Sequence, residues 1–380
     1  CEGVPLAAIA EAVGTPVYVY STATMVRHAR VMRESLHGLD DPLIAYAVKA
    51  NPNAAILATL ARSGLGADVV SIGEYRRARS AGIPAECIVF SGVGKTQAEM
   101  AEALKGGLLQ FNVESAEEAR TLSAVASSMG SVAPVGFRIN PDVEAGAHAK
   151  IITGTADNKF GIPAEQALDA YAETNALPGL RITGMTVHIG SQLTSLDPLE
   201  KAFVKLGEIL GRVRAEGHDI RLVDLGGGLG VPHGSDHPEP PTPQDYGDMV
   251  RCVTKDWNAR LIFEPGRLIV ANAGVLLTRV VRIKPGTKHP WVIVDAAMND
   301  LMRPALYDAY HRIEAVSPRG RSMTASVVGP VCESGDTFAR AREMDDVAAG
   351  DLVVFRTAGA YGAAMSSGYN SRPLAPGVLV

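Results

Sequence analysis

The sequence predicts a (β/α)8 TIM-type barrel with a second, smaller C-terminal β domain, and three observations predict it. Apolar, β-rich runs alternate with amphipathic stretches from about residue 43 to 265; the alternation stops beyond residue 272; and polar residues recur at the C-terminal ends of the early runs. A chain of 380 residues exceeds what one hydrophobic core usually organises, so a large domain with a smaller companion is the default.

The strands read as Leu43–Val48, Ala67–Val70, Cys87–Ser91, Leu109–Val113, Pro134–Ile139, Ile182–Ile189, Ile220–Leu225 and Arg260–Glu264. Between them lie helix-like stretches, clearest at Ala54–Arg62, Gly73–Ala81, Thr96–Leu104, Ser115–Ser128, Ala164–Thr174, Pro198–Ala215 and Pro243–Asp256. Ser115 and Glu118 have the spacing of a capping box. A doubly wound sheet is the competing topology.

A barrel gathers its chemistry where the βα loops meet. The strand ends carry Lys49, Asp68 with Ser71, Ser91, Asn112, Arg138 with Asn140, His188 with Ser191, Gly226-Gly227-Gly228, and Glu264 with Arg267. Each alone has a bland explanation: Asp68 and Asn112 as helix caps, Arg138 as an ion pair, His188 as a satisfied core histidine. Eight in succession point to a site. Lys49 stands where an apolar run stops and Ala50-Asn51-Pro52 begins; desolvation there makes the neutral, nucleophilic amine accessible. Gly226–Gly228 with Gly230 resembles a dinucleotide fingerprint but lacks the acidic residue expected after a following strand. In a barrel, loops after the seventh and eighth strands cradle phosphate, because glycine lets backbone N–H groups approach an anion.

Beyond residue 272 the runs Gly274–Ile283, Trp291–Ala296, Thr324–Val331 and Asp351–Arg356 read as strands, with a possible helical turn near Ala305–Tyr310 and no long helix. The early run Thr15–Tyr20 is strand-like and is assigned to the same domain. The expected division is therefore a barrel over 27–272 and a β domain made of 1–26 and 273–380.

With 47% hydrophobic residues, 20% charged residues and a net charge of -5, the chain has no basic excess for nucleic acid or anionic lipid, which leaves a small molecule as the expected partner. No uncharged stretch is long enough to span a bilayer, and no basic start is followed by an apolar segment, so a cytoplasmic protein is expected. Cys1, Cys87, Cys252 and Cys332 form no C-x-x-C pair, which suggests neither zinc nor a disulfide framework.

Five segments, Tyr46-Ala47-Val48-Lys49-Ala50-Asn51, His188-Ile189-Gly190-Ser191-Gln192, Gly226-Gly227-Gly228, Glu264-Pro265-Gly266-Arg267 and Cys332-Glu333-Ser334-Gly335-Asp336, resemble the fold-type III pyridoxal-phosphate decarboxylases. The likeness runs over essentially the whole chain and includes Lys159-Phe160-Gly161, Met302-Arg303-Pro304 and Ala360-Tyr361-Gly362. It implies an alanine racemase-like fold, pyridoxal 5'-phosphate carried by Lys49, His188 against the ring face, and Glu264 opposite the ring nitrogen. A carboxylate there keeps that nitrogen protonated and the ring a good electron sink. Alanine racemases of this fold use an arginine instead. Ser191, Gly227, Gly228, Pro265, Gly266, Arg267 and Tyr361 would hold the phosphate end, with Asp68 and Arg138 as supports. Cys332 would be the general acid. The resemblance also implies a homodimer in which the Cys332-Glu333 segment enters the partner's barrel.

For the substrate, the family implies a distal pocket containing Arg267, Arg303, Tyr307, Glu333 and Tyr361. Arginines would take a distal carboxylate bidentately and Glu333 a distal ammonium, which fits meso-diaminopimelate, decarboxylated to L-lysine. Ornithine-, arginine- or carboxynorspermidine-type decarboxylation is the alternative within the family, and a pyridoxal-phosphate-binding protein without turnover the alternative outside it. The proline-rich loop Val231–Pro243 contains His233 and His237, read as solvated side chains, so no metal is expected; Pro141–Asn158 is a candidate flap.

Overall fold

The computed structural model describes residues 1–144, 153–154, 158–233 and 238–380. These divide into two compact units, one of His28–Gly230 and Glu239–Gly266, the other of Cys1–Arg27, Val231–Pro238 and Arg267–Val380.

The first unit is a closed parallel barrel. Its strands are Leu43–Ala47, Gly66–Val69, Ile88–Phe90, Gln110–Val113, Ala133–Asn140, Leu180–Thr186, Leu222–Asp224 and Arg260–Phe263. Arg260–Phe263 pairs with both Leu43–Ala47 and Leu222–Asp224, and Gln110–Val113 pairs with Ala133–Asn140, so neighbours run in chain order around a ring and the doubly wound alternative is excluded. An extra short strand, Ile162–Pro163, extends the sheet beside Ala133–Asn140 and was not foreseen in a stretch so short.

Helices alternate with the strands, and side chains fix their starts. Asn53 accepts hydrogen bonds from the backbones of Ala55 and Ile56, and Ser71 accepts from Glu74. Complete capping boxes sit at Thr96/Glu99 and Thr242/Asp245. At Ser115 the hydroxyl accepts from the Glu118 N–H, but the Glu118 carboxylate turns to the N–H of Glu114 instead. The expected box is thus a simple cap there.

Buried polar residues, Asp68, Gln110, Asn112 and Asp224 among them, interrupt the apolar strands. Gln110 lies across two strand glycines: a Cβ on Gly136 would come 2.7 Å from its Cδ and one on Gly184 would come 2.5 Å from the same atom. These glycines make room for a polar side chain where an all-apolar layer would be ordinary.

The second unit is a mostly antiparallel sheet in the order Ile313–Ala315, Leu352–Phe355, Gly274–Lys284, Trp291–Val294, Ser322–Val328, Thr337–Asp345. Val17–Tyr20 pairs with Gly274–Lys284, Tyr20 facing Gly274 and Val17 facing Leu277, and also with Gly377–Leu379. Ile9, Ala10, Val17, Val19, Leu277 and Val354 form its apolar cluster. The sequence reading missed Thr337–Asp345 because charges at Arg340, Arg342 and Glu343 interrupt the apolar pattern on a half-exposed strand. It also missed the helices Leu6–Val13 and Thr22–Ser35.

Candidate active site

In the barrel unit, Lys49 lies in a helical turn, Val48–Ala50, immediately after the first strand. Its Nζ is 2.6 Å from Oδ2 of Asp68, which is fully buried on the neighbouring strand. Asp68 therefore holds the amine and caps no helix; Oδ1 of the same carboxylate is buried without a partner.

Around the ring from Asp68, Asn112 donates to Ser91 Oγ at 3.1 Å and to Asp224 Oδ2 at 3.0 Å, while Gln110 donates to Asn112 Oδ1 at 2.7 Å. Ser91 donates weakly to Glu264 at 3.5 Å. Glu264 and Asp224 hydrogen-bond to each other, so one of them carries a proton. Burial is the largest cause in both: it pushes Glu264 well above the ordinary carboxyl range, helped by the charges of Asp224 and Asp68, and Asp224 up to about 6. Three carboxyls thus surround one lysine. The site has a surplus of negative charge that a cation placed beside Glu264 would relieve.

His188 is fixed in one tautomer. The Gly227 N–H donates to its Nδ1 at 3.1 Å, which leaves the ring proton on Nε2. Burial first, then Arg138 and Lys49, keep it well below the usual histidine range, so it is neutral. Arg138 donates to Glu114 at 3.1 Å and to the His188 carbonyl at 3.2 Å, and its guanidinium lies 4.6 Å from the Phe160 ring centroid. Glu114 also takes the Gly161 N–H at 2.7 Å, which ties the Lys159-Phe160-Gly161 segment to the same ion pair.

The glycine triplet is dictated by packing. At Gly228 (φ +117°) a Cβ would stand 2.7 Å from the Gly190 carbonyl oxygen, and at Gly227 it would meet the Glu264 carbonyl. The Gly226 N–H goes to Asp224 and the Gly227 N–H to His188, so these two orient side chains, a use the cradle argument did not anticipate. Ser191 and Gln192 lead into Leu193, whose N–H donates to the Gly228 carbonyl at 2.9 Å. Pro265 accepts from the Ala47 N–H at 3.2 Å, and a Cβ on Gly266 would stand 3.0 Å from that of Ala50.

In the second unit, Arg267 opens the short helix Arg267–Val270 and lies 4.9 Å from the Tyr361 ring centroid. Arg303 opens Arg303–Tyr307, a short helix that begins slightly before the helical turn expected near Ala305–Tyr310. Both arginines are buried. Burial, then the charge of Arg267, lowers Arg303 to about 10, so it stays protonated at neutral pH at a desolvation cost. Cys332 and Glu333 lie in an exposed turn. Cys332 is thus no part of the chain's own core.

Sequence reasoning missed Asp224, Gln110, Glu114 and Glu74. Asp224 had a signal, an aspartate closing an apolar strand just before the glycines. Glu74, which accepts the Val70 N–H and is pushed by burial up to about 7, looked like an ordinary first-turn glutamate. His233 lies 6.3 Å, centroid to centroid, from buried His311; His237 and most of the candidate flap lie outside the described residues. Among the described residues, no group of three or more His, Cys, Asp or Glu could hold a metal ion, and no helix is long and apolar enough to cross a membrane.

Residues 22–271 match the family model of the pyridoxal-dependent decarboxylases, pyridoxal binding domain. The chain is 55% identical to a diaminopimelate decarboxylase of Zymomonas mobilis over all of its own length and 90% of that protein's, and 48% identical to one of Pseudomonas aeruginosa over all of its length and 91% of that protein's. Among solved structures it superposes on the Helicobacter pylori diaminopimelate decarboxylase complexed with L-lysine with a TM-score of 0.95 at 39% identity, covering 99% of this chain and 94% of that one. A lysine/ornithine decarboxylase of Vibrio vulnificus, at 22% identity and a TM-score of 0.86, shares the fold.

Proposed function

The chain belongs to the pyridoxal-dependent decarboxylases and, within them, to the diaminopimelate decarboxylases, and on that footing we propose that it converts meso-2,6-diaminopimelate to L-lysine and carbon dioxide. The observation that carries the reading is the raised carboxyl of Glu264, hydrogen-bonded to Asp224 in the barrel that also presents Lys49 on Asp68.

Pyridoxal phosphate fits these residues. Glu264 suits a protonated ring nitrogen, because a cation there lets a carboxyl that burial keeps neutral ionise; the unpartnered Asp68 oxygen and the neutral, single-tautomer His188 add an acceptor and a flat face. When bound, the cofactor supplies the electron sink that loss of carbon dioxide requires. Lys49 would hold it covalently, with Asp68, Arg138 and His188 as supports and Ser191, Gly227, Gly228, Pro265, Gly266, Arg267 and Tyr361 at its phosphate end. On the substrate, Arg267, Arg303, Tyr307 and Tyr361 would take the distal carboxylate, Glu333 the distal ammonium, and Cys332 Sγ would return a proton to the α carbon.

A general acid and a charge-reading carboxylate need shelter from water to act. Cys332 and Glu333 are both exposed in the single chain, which supports a homodimer in which each copy covers this turn of the other. Mixing Lys49→Ala and Cys332→Ala chains should then restore activity that neither variant has alone. The same reading makes the enzyme cytoplasmic, with 27–272 as the cofactor domain and 1–26 with 273–380 as the domain completing the site. The deciding experiment is product analysis of the cofactor-loaded protein with meso-diaminopimelate, L-ornithine and L-arginine separately. Lysine from the first alone is expected; turnover of ornithine or arginine instead would overturn the assigned distal pocket.

A further inference from the structure

We propose that Asn370 is a positioning residue that fixes the backbone of Cys332. The inference rests on the reading that Cys332 and Glu333 act on the substrate.

The turn bearing those two residues is braced from inside by Asp336. Buried, it accepts the N–H of Val331 and that of Met298, each at 2.7 Å, while the Asp336 N–H returns to the Glu333 carbonyl at 3.1 Å. That brace fixes the base of the turn. The outer side is reached by one segment, Ser367–Arg372. The Cys332 N–H donates to Asn370 Oδ1 at 3.4 Å.

The segment is itself anchored on both sides. Asn299 and Ser367 exchange two hydrogen bonds of 3.0 Å, and the Arg372 guanidinium donates to the Asp295 carbonyl. Asn370 sits at φ 55°, ψ 27°, a left-handed conformation that asparagine tolerates better than most residues. The anchors and the turn thus aim one amide oxygen at Cys332.

The contact predicts a kinetic signature. Asn370→Gly preserves the left-handed turn and deletes only the acceptor, so it separates the hydrogen bond from the backbone conformation. It should lower kcat about tenfold with little change in KM, because the acid is misplaced by a fraction of its reach. Alkylation of Cys332 by iodoacetamide in the cofactor-loaded full chain, read by peptide mass spectrometry, should also be several-fold faster in Asn370→Gly.

Wild-type kinetics and wild-type alkylation in Asn370→Gly would overturn the role of Asn370. If the unmodified protein formed no lysine, the proposed reaction would fail, while the alkylation comparison would still decide whether Asn370 holds Cys332.

Discussion

The barrel unit and the sheet unit solve opposite electrostatic problems. The barrel gathers Asp68, Asp224 and Glu264, buried and raised or left with an unpartnered oxygen, around Lys49. The sheet unit buries Arg267 and Arg303; burial lowers both, and the charge of Arg267 lowers Arg303 further. Burying like charges together is costly, and in the barrel the Lys49 ammonium on Asp68 and the Asn112 and Gly226 donors on Asp224 offset part of that cost. On the proposed reading each region awaits a ligand group of the opposite sign: a ring cation in one, a carboxylate in the other.

The largest test of that contrast is Lys49→Ala, expected to lower kcat by at least about 10⁴-fold and to end trapping of the cofactor on the protein by borohydride. Retained trapping at another lysine would mean that the barrel cluster has been assigned the wrong centre. Next comes Glu264→Gln, which keeps the shape and removes the ionisable group; kcat should fall by roughly 10²–10³-fold, the scale of one lost preorganised partner. A kcat within a few-fold of the original would show that the acid surplus has no part in the chemistry. Arg303→Ala tests the other region. Leaving a distal carboxylate unpaired costs about 2–5 kcal/mol, or roughly 30- to 3,000-fold in kcat/KM, mostly through KM. Equal loss for a substrate without a distal carboxylate would break the comparison.

The two regions also differ in how far the sequence disclosed them. The barrel residues were legible because a continuous apolar run that ends near Lys49, His188 or Glu264 places the polar group at a known edge of a known architecture. Asp224 and Gln110 were not, because their roles depend on neighbours far along the chain: Glu264 across a strand pair, and Gly136 and Gly184 beneath an amide. In the sheet unit the runs Thr15–Tyr20, Gly274–Ile283, Trp291–Ala296, Thr324–Val331 and Asp351–Arg356 marked strands, but the apolar pattern pointed to none of the site residues beyond Arg267. Arg303, Cys332 and Glu333 were found by motif resemblance alone, since short helices and turns carry no repeat to read. Thr337–Asp345 escaped for the same physical reason, its charges facing water from a strand that buries only part of each face.

The finest test concerns the barrel alone. The Asp224 carboxyl rises from 3.8 to about 6 on folding, with burial as the first cause. A carboxyl whose pKa is raised on folding contributes stability below its unfolded pKa and loses it as pH climbs through the folded value. Two units of displacement correspond to about 3 kcal/mol at about 1.4 kcal/mol per unit. Other titrating groups obscure this in a single protein, but they cancel between two. The cofactor-free Asp224→Asn variant, which cannot ionise, should therefore gain on the unmodified chain by about 3 kcal/mol between pH 4 and 6 in denaturant titrations. With cofactor bound the gain should shrink, because a cation beside Glu264 offsets the negative surplus that Asp224 shares. Parallel stability curves without cofactor would mean that the carboxyls are solvated well enough to ionise freely, and the barrel would then hold no stored preference for a cation.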